Sequence, residues 1–176
     1  MIVRWLIALG AVLVLGAVDY GALHKEAIRR DGEVLYLELA PVDPRSLMQG
    51  DYMALRFRIA QDIDRRRVDA GSSFTADLRS DARTGAELPR EGERAFIPLA
   101  LDERRVATLA AAPASSALRL RYRMHHGNIW LGTNAFFFQE GESARFRGAR
   151  YGEFRLDKAS GEAVLVGLRD ATLQPL

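Results

Sequence analysis

The chain has 176 residues, of which 48% are hydrophobic and 27% charged, so it suits one globular domain with an appendage and excludes a disordered protein. It contains no cysteine, which excludes disulfides, thiolate catalysis and Cys-ligated zinc, and is compatible with a location outside the cytoplasm. Beyond residue 30, 21 basic side chains balance 21 acidic ones, so the domain offers no electrostatic surface for nucleic acid.

The first 18 residues form an apolar segment with a single charged side chain, Arg4. Residues 5–18 are an uninterrupted run of fourteen apolar or glycine residues, which is short for a membrane span and typical of a signal sequence. Counting the residues before Arg4 brings the segment to a minimal span. Leu15 spoils the small-residue pattern of a cleavage site before residue 18, so an uncleaved transmembrane anchor is favoured over a removed signal sequence.

The flanks of this anchor predict its orientation. Lys25, Arg29 and Arg30 follow the apolar run and rival the positive charge at the N-terminus, but a four-residue tail usually stays inside while a long domain translocates. We therefore expect a single-pass protein of the cytoplasmic membrane, with residues 19–32 as a polar stalk and residues 33–176 as an extracytoplasmic domain.

Two predicted strands follow, joined by a compact corner. Residues 33–40 and 51–59 each alternate between apolar and mixed side chains, the period of a half-buried strand. Asp43 before Pro44 suits the start of one helical turn, and Gly50 suits a tight corner or bulge. The apolar faces carry Leu35, Leu37 and Leu39 on the first strand and Met53, Leu55, Phe57 and Ile59 on the second.

This stretch resembles the motif of a bacterial family, the GDYXXLXY proteins. The motif stands here as Gly50, Asp51, Tyr52, Leu55 and Phe57, the last departing conservatively from the family's tyrosine. Residues 41–47 are similar to the family's approach to the motif, and residues 136–141 and 151–170 to its later blocks. The resemblance implies a membrane-anchored bacterial protein of uncharacterised function, and a polytopic membrane protein as its partner. It supplies no catalytic residue.

The rest of the chain predicts further short strands. Residues 61–70 are strongly charged and predict an exposed connection of at most two helical turns, and residues 95–101 predict a strand that Pro98 confines to a sheet edge. Residues 106–110 predict a returning strand, with a helix over 102–112 as the competing interpretation. The remaining predicted strands are residues 118–124, 128–131 and 135–138, and a last hairpin pairs residues 152–156 with 163–168. The fold class is therefore mainly β, an antiparallel sandwich or barrel-like domain after one transmembrane helix.

The candidate functional residues fall into two sets. The motif and its neighbours form a candidate interaction surface: Asp43, Pro44, Gly50, Asp51, Tyr52, Leu55, Phe57, Glu140 and Gly141. Arginines on predicted strands form a candidate anion-binding set: Arg56, Arg58, Arg119, Arg121 and Arg123. Such arginines more often lie on the solvent-exposed face of a strand and bind no ligand. The adjacent His125 and His126 would point to opposite faces of a strand, so no metal is expected there.

Three functions remain open from the sequence. The favoured one is a binding or accessory module for another envelope or membrane protein. A small hydrolase-like enzyme using Asp51 and Glu140 is the alternative, and an anion-binding domain is the third. A type I signal peptidase mechanism is excluded because its nucleophile position falls on Val42, which has no hydroxyl. No cofactor-binding motif is present in the sequence, so no cofactor is expected.

Overall fold

The computed structural model describes residues 2–40, 48–49, 52–69, 92–110, 118–125 and 128–176. Helix α1 spans Ile2–Asp31 and α2 spans Arg58–Asp69. A 3-10 helix spans Glu142–Gly148. The strands are β1 Glu33–Glu38, β2 Met48–Gln49, β3 Tyr52–Ala54, β4 Arg94–Leu101, β5 Ala107–Leu109, β6 Leu118–His125, β7 Asn128–Trp130, β8 Ala135–Phe137, β9 Tyr151–Leu156 and β10 Ala163–Arg169.

Helix α1 runs without interruption through both the predicted anchor and the predicted stalk. The large apolar side chains described between residues 5 and 18 are exposed, whereas Ile28 near the end of the helix is buried against the domain. The C-terminal part of the helix contacts β9 and β10, and the Gly32 amide closes it by donating to the Ile28 carbonyl at 2.8 Å. Within the described residues, no helix meets the combined length and hydropathy that a membrane span requires.

The described strands form three antiparallel sheets, in the orders β1-β9-β10, β2-β3-β8 and β5-β4-β6-β7. Two contacts join the first and third sheets into a partly closed barrel. The Tyr36 amide of β1 donates to the Arg105 carbonyl just before β5 at 3.0 Å. On the other side, the Arg121 amide of β6 donates to the Gly161 carbonyl before β10 at 2.7 Å. The predicted mainly antiparallel β fold with an N-terminal helix is confirmed.

One core fills the space between these sheets and α2, as expected from the alternating strands. Phe154 at the centre of β9 is fully buried, and Leu120 and Tyr122 of β6 face it from the third sheet as their alternation predicts. The fully buried side chains are Leu35, Leu37, Ile63, Ile97, Leu120, Leu131, Phe154, Leu156 and Leu168.

The predicted strand over residues 51–59 and the exposed connection over 61–70 are both wrong in part. Only Tyr52–Ala54 is a strand, and the helix α2 begins at Arg58 and continues to Asp69. Ile59 and Ile63 are buried and four residues apart, so they lie on one face of the helix. Arg58 and Arg65 are exposed, and the dense charge of residues 62–67 concealed this period in the sequence.

Pro98 does not confine β4 to a sheet edge, because β4 lies between β5 and β6. The Pro98 carbonyl accepts from the Ala110 amide, on the β5 side, at 3.0 Å. The amide and carbonyl of one strand residue point to the same side, so the hydrogen that proline lacks also faces that side. There β5 pairs only with Leu99, Ala100 and Leu101, so the missing hydrogen faces the end of this pairing and interrupts no pair within it.

The last hairpin and the short strand after Asp102 are confirmed. β9 pairs with β10 from the register Leu156 with Ala163 to Tyr151 with Arg169. β5 is a strand, so the competing helix over residues 102–112 is wrong over its described part, which ends at residue 110. The Asp102 carboxylate turns the chain by accepting the amides of Arg104 and Val106 at 2.9 and 2.7 Å.

Candidate functional site

The motif residues that the structure describes divide into a buried part and a part at the surface. Leu55 and Phe57 are each 3% exposed and belong to the core. The Phe57 ring meets the Phe154 ring edge-on, with centroids 5.4 Å apart, and Gly152 has no side chain to obstruct it. The Leu55 amide donates to the Asn134 carbonyl at 2.7 Å. These two motif residues therefore act through packing rather than through contact with a ligand.

Tyr52 is half-buried and belongs to the part at the surface. It stands opposite Phe137 in the β3–β8 register, and the two rings lie 5.8 Å apart. Phe137 is 74% exposed, unlike Phe136, which packs edge-on against the buried Phe146 at 5.1 Å. The motif thus contributes an aromatic pair, Tyr52 and Phe137, to the surface of the smallest sheet.

The remaining motif residues have different positions. Asp43, Pro44, Gly50 and Asp51 lie outside the described residues, so the pairing of Asp51 with Glu140 stays a prediction. Glu140 is exposed in the turn that precedes the 3-10 helix. Gly141 has φ of 87°, a conformation that favours glycine, and starts that helix.

The structure separates the five candidate anion-binding arginines. Arg58 pairs with Glu38 at 2.7 Å on the surface, and Arg119 lies over the Phe96 ring at 5.2 Å. Arg56 lines one cavity, of about 430 Å³, beside α2 and β7. Arg121 and Arg123 line another, of about 510 Å³. An anion-binding domain that used all five would need them on one concave face, and of the five only Arg121 and Arg123 line a cavity together.

The cavity of Arg121 and Arg123 has a basic lining, and we call it the arginine cavity. It lies between the outer face of β4, β6 and β7, the start of β10, strand β8 and helix α1. Its charged lining consists of Lys25, Arg94, Arg121, Arg123 and one carboxylate, Glu162. Glu162 Oε2 lies 2.5 Å from Arg121 Nη2, so Lys25, Arg94 and Arg123 are left in excess.

Two cations of the arginine cavity are forced together by the strand register. Arg94 of β4 stands directly opposite Arg123 of β6, an arrangement of like charges that destabilises a sheet. The Arg123 guanidinium lies 6.0 Å from the centre of the Trp130 ring, at the outer limit of a cation–π contact. Trp130 Nε1 is buried and has no hydrogen-bond acceptor among the described residues. The cavity therefore combines cations that its lining does not neutralise with an indole N–H, that of Trp130, which has no acceptor among the described residues.

The neighbouring cavity lies beside α2 and β7 and is lined partly by polar residues. Arg56, Asp64, His125 and Asn128 are among its lining, and the His125 ring lies edge-on to Trp130 at 5.6 Å. His126 lies outside the described residues. Among the residues that the structure describes, no three His, Cys, Asp or Glu side chains are grouped in a way that would hold a metal ion.

A buried ion cluster and an aspartate turn account for other charges. Glu153 of β9 is buried and accepts from Arg169 Nε of β10 at 2.5 Å, with Arg155 Nη2 4.0 Å away. In the β9–β10 turn, the Ser160 hydroxyl and the backbone amides of Ala159 and Ser160 hold the pKa of Asp157 below its usual value. Both arrangements stabilise the hairpin.

Sequence reasoning missed four residues of the arginine cavity: Lys25, Arg94, Trp130 and Glu162. Arg94 immediately precedes the predicted strand over residues 95–101, and one residue of extension would have placed it on β4. Its position opposite Arg123 could not be read from sequence, because residues 102–117 intervene and no two-residue turn fixes the β4–β6 register. Lys25 was treated as part of the stalk rather than of the domain.

Comparison with known proteins gives one match. The family model described as GDYXXLXY protein matches residues 14–168, which include the second half of α1, the motif, both cavities and the last hairpin. No curated protein and no solved structure matches the chain.

Proposed function

Since the chain belongs to the GDYXXLXY protein family, we propose that it is a membrane-tethered accessory domain that binds another membrane or envelope protein. In this proposal α1 anchors the chain in the bacterial cytoplasmic membrane as a single pass. Residues 33–176 then lie on the periplasmic side, where the sheet β2-β3-β8, which carries Tyr52 of the motif, contacts the partner.

The observation that carries the tether is the exposure of α1 on all sides. Val12, Leu13, Val14 and Leu15 are consecutive and each between 63% and 65% exposed. Consecutive helical residues are about 100° apart, so four of them surround the helix axis. A helix that is apolar all round belongs in an apolar environment. No charged side chain lies between Arg4 and Asp19, and a lipid bilayer provides that environment without a protein partner for every face.

The tether is tested by flotation of the full chain with phospholipid vesicles. We expect the purified wild-type chain to float with the vesicles and to resist extraction by alkaline carbonate. Leu13→Arg places a charge at the centre of the apolar run and should shift the chain to the soluble fraction. The matched control is Leu23→Arg, on the same exposed helix beyond the run. Equal behaviour of the two variants would count against the tether.

The contact surface is assigned to Phe137 and its half-buried neighbour Tyr52, because Phe137 is 74% exposed and aromatic side chains are enriched where proteins meet. The tether makes the partner a membrane protein, since it confines the domain to the membrane surface.

Site-specific photo-crosslinking in membranes tests this contact. A photoreactive residue in place of Phe137 should give one discrete adduct with a membrane protein, and Tyr52→Ser should weaken it. The control is the same residue in place of Arg104, which is exposed at the far end of β4. The same adduct from both positions, or an adduct that is indifferent to Tyr52→Ser, contradicts the assigned surface.

A further inference from the structure

We propose that the arginine cavity binds a phosphate-bearing anion, and that Arg94 and Arg123 are its principal ligands. This inference goes beyond the accessory role, and only its lipid source rests on the proposed tether. It stands on the surplus of cations, on their forced proximity and on the size of the cavity.

The surplus of cations comes first. Within the described part of the chain, Glu162 is the only carboxylate that lines the cavity, and it already faces two basic groups. Its Oε2 lies 2.5 Å from Arg121 Nη2 and 3.8 Å from His24 Nε2. The charges of Lys25, Arg94 and Arg123 are therefore not compensated by the lining. A phosphate offers more acceptor oxygens than a carboxylate does, and a phosphate monoester also carries up to two negative charges.

The forced proximity of Arg94 and Arg123 comes second. Like charges directly opposite on neighbouring strands repel each other when nothing lies between them. An anion bound to both guanidinium groups turns this repulsion into two charge-assisted contacts. Trp130 lies beneath Arg123 and restricts the positions it can take, so the site is partly organised before binding.

The third observation is the size and the location of the cavity. Its volume of about 510 Å³ exceeds the space that one inorganic phosphate fills, and Phe136 and Leu165 add apolar wall. Lys25 follows the apolar run by seven residues, which is about 10 Å along a helix. With α1 in a bilayer, this distance places the cavity near the lipid phosphates, so an anionic headgroup and a free phosphate compound share the required chemistry.

The experiment uses the full chain carrying Trp5→Phe, which leaves Trp130 as its only tryptophan. The protein in neutral detergent is titrated with inorganic phosphate at constant ionic strength, balanced with chloride, while the fluorescence of Trp130 is followed. In parallel, the chain is placed in nanodiscs of phosphatidylcholine with or without phosphatidylglycerol. We expect a saturable change with phosphate, with phosphatidylglycerol, or with both, and the responding arm identifies the source.

The variants separate a built site from general charge. Arg94→Gln should weaken binding at least about tenfold, because it removes a charge-assisted contact. It should also raise the melting temperature of the ligand-free protein, since it removes the repulsion with Arg123. The matched control is Arg145→Gln, which removes an exposed arginine over an aromatic ring, Phe146, outside the cavity, and should change neither value.

Three results would overturn the site: no saturable response in either arm, an equal response to chloride alone, or equal weakening by Arg94→Gln and Arg145→Gln. The detergent arm does not require insertion in a bilayer. Binding that persists there while flotation fails leaves the site standing and removes the tether. Flotation of the chain without binding in either arm leaves the tether standing and removes the site.

Discussion

At the residue scale, the turn of the last hairpin depends on one carboxylate. Asp157 Oδ1 accepts the Ala159 amide at 3.0 Å, and Oδ2 accepts the Ser160 hydroxyl at 2.6 Å and the Ser160 amide at 3.2 Å. These donors favour the ionised form, chiefly through the Ser160 hydroxyl, and lower the pKa of Asp157. The turn is therefore stabilised by the ionised carboxylate as well as by its backbone conformation.

The lowered pKa of Asp157 predicts a pH dependence of stability. A carboxyl whose pKa is lower in the folded state contributes stability that is complete above its unfolded pKa, about 3.9, and is lost as the pH falls through the folded value. We expect Asp157→Asn to melt below wild type by the same margin at pH 7 and pH 5, and the margin to shrink below about pH 4. Circular dichroism in neutral detergent measures it. A margin that is unchanged at low pH contradicts the role of the charge.

Gly161 is a second residue on which the fold depends, at the seam that closes the barrel. It has φ of 69°, and an added Cβ would lie 2.9 Å from the Arg119 carbonyl oxygen and 2.9 Å from the Phe96 ring. Gly161→Ala should therefore cost more than about 1 kcal/mol of unfolding free energy. Gly167→Ala is the control, because its Cβ meets nothing within 4 Å. Equal thermal shifts for the two variants contradict the close approach at the seam.

At the scale of elements, α2 is the clearest difference between expectation and structure. Ile63 is 1% exposed and lies four residues after Ile59, on the helix face that covers the core. Ile63→Ala should cost about 2–5 kcal/mol. Arg65→Ala, which removes an exposed pair with Asp62 at 3.6 Å, should cost at most about 0.5 kcal/mol. Thermal unfolding compares them, and a similar small cost for both variants contradicts a helix that packs on the core.

The short strands were largely predictable because their alternation is local. Leu120 and Tyr122 face inward as their spacing indicates, and the last hairpin has a turn that the sequence marks with Asp157 and Gly161. The start of α2 was not predictable in the same way. Phe57 and Ile59 continue the period of two that Met53 begins, and only the later Ile63 reveals the change to the helical period.

At the scale of the whole molecule, the arginine cavity shows what a single sequence leaves out. Arg121 and Arg123 were identified from their own strand, but Arg94 and Lys25 join them only through the β4–β6 register and the packing of α1 on β9 and β10. Such contacts bring together residues far apart in the chain, and no local signal encodes them. Arg56 and Arg58 show the converse. They are close in sequence, but Arg56 lines a cavity and Arg58 forms an ion pair on the surface.

The same scale holds the central claim, that α1 tethers the domain to a membrane. The exposed apolar run and the packed end of the helix divide α1 into two environments, with Leu13 in the first and Leu23 beyond it. The absence of cysteine in the chain allows each position to be examined by a single introduced thiol.

The most direct measurement is the labelling of Leu13→Cys and Leu23→Cys variants in spheroplasts with a membrane-impermeant maleimide. The account predicts that the Leu23→Cys variant is labelled in intact spheroplasts, and that the Leu13→Cys variant is labelled only after detergent is added. Ala171→Cys, exposed on the domain, controls for sidedness and should be labelled without detergent. Equal labelling of the Leu13→Cys and Leu23→Cys variants before detergent would contradict the tether and, with it, the proposed function.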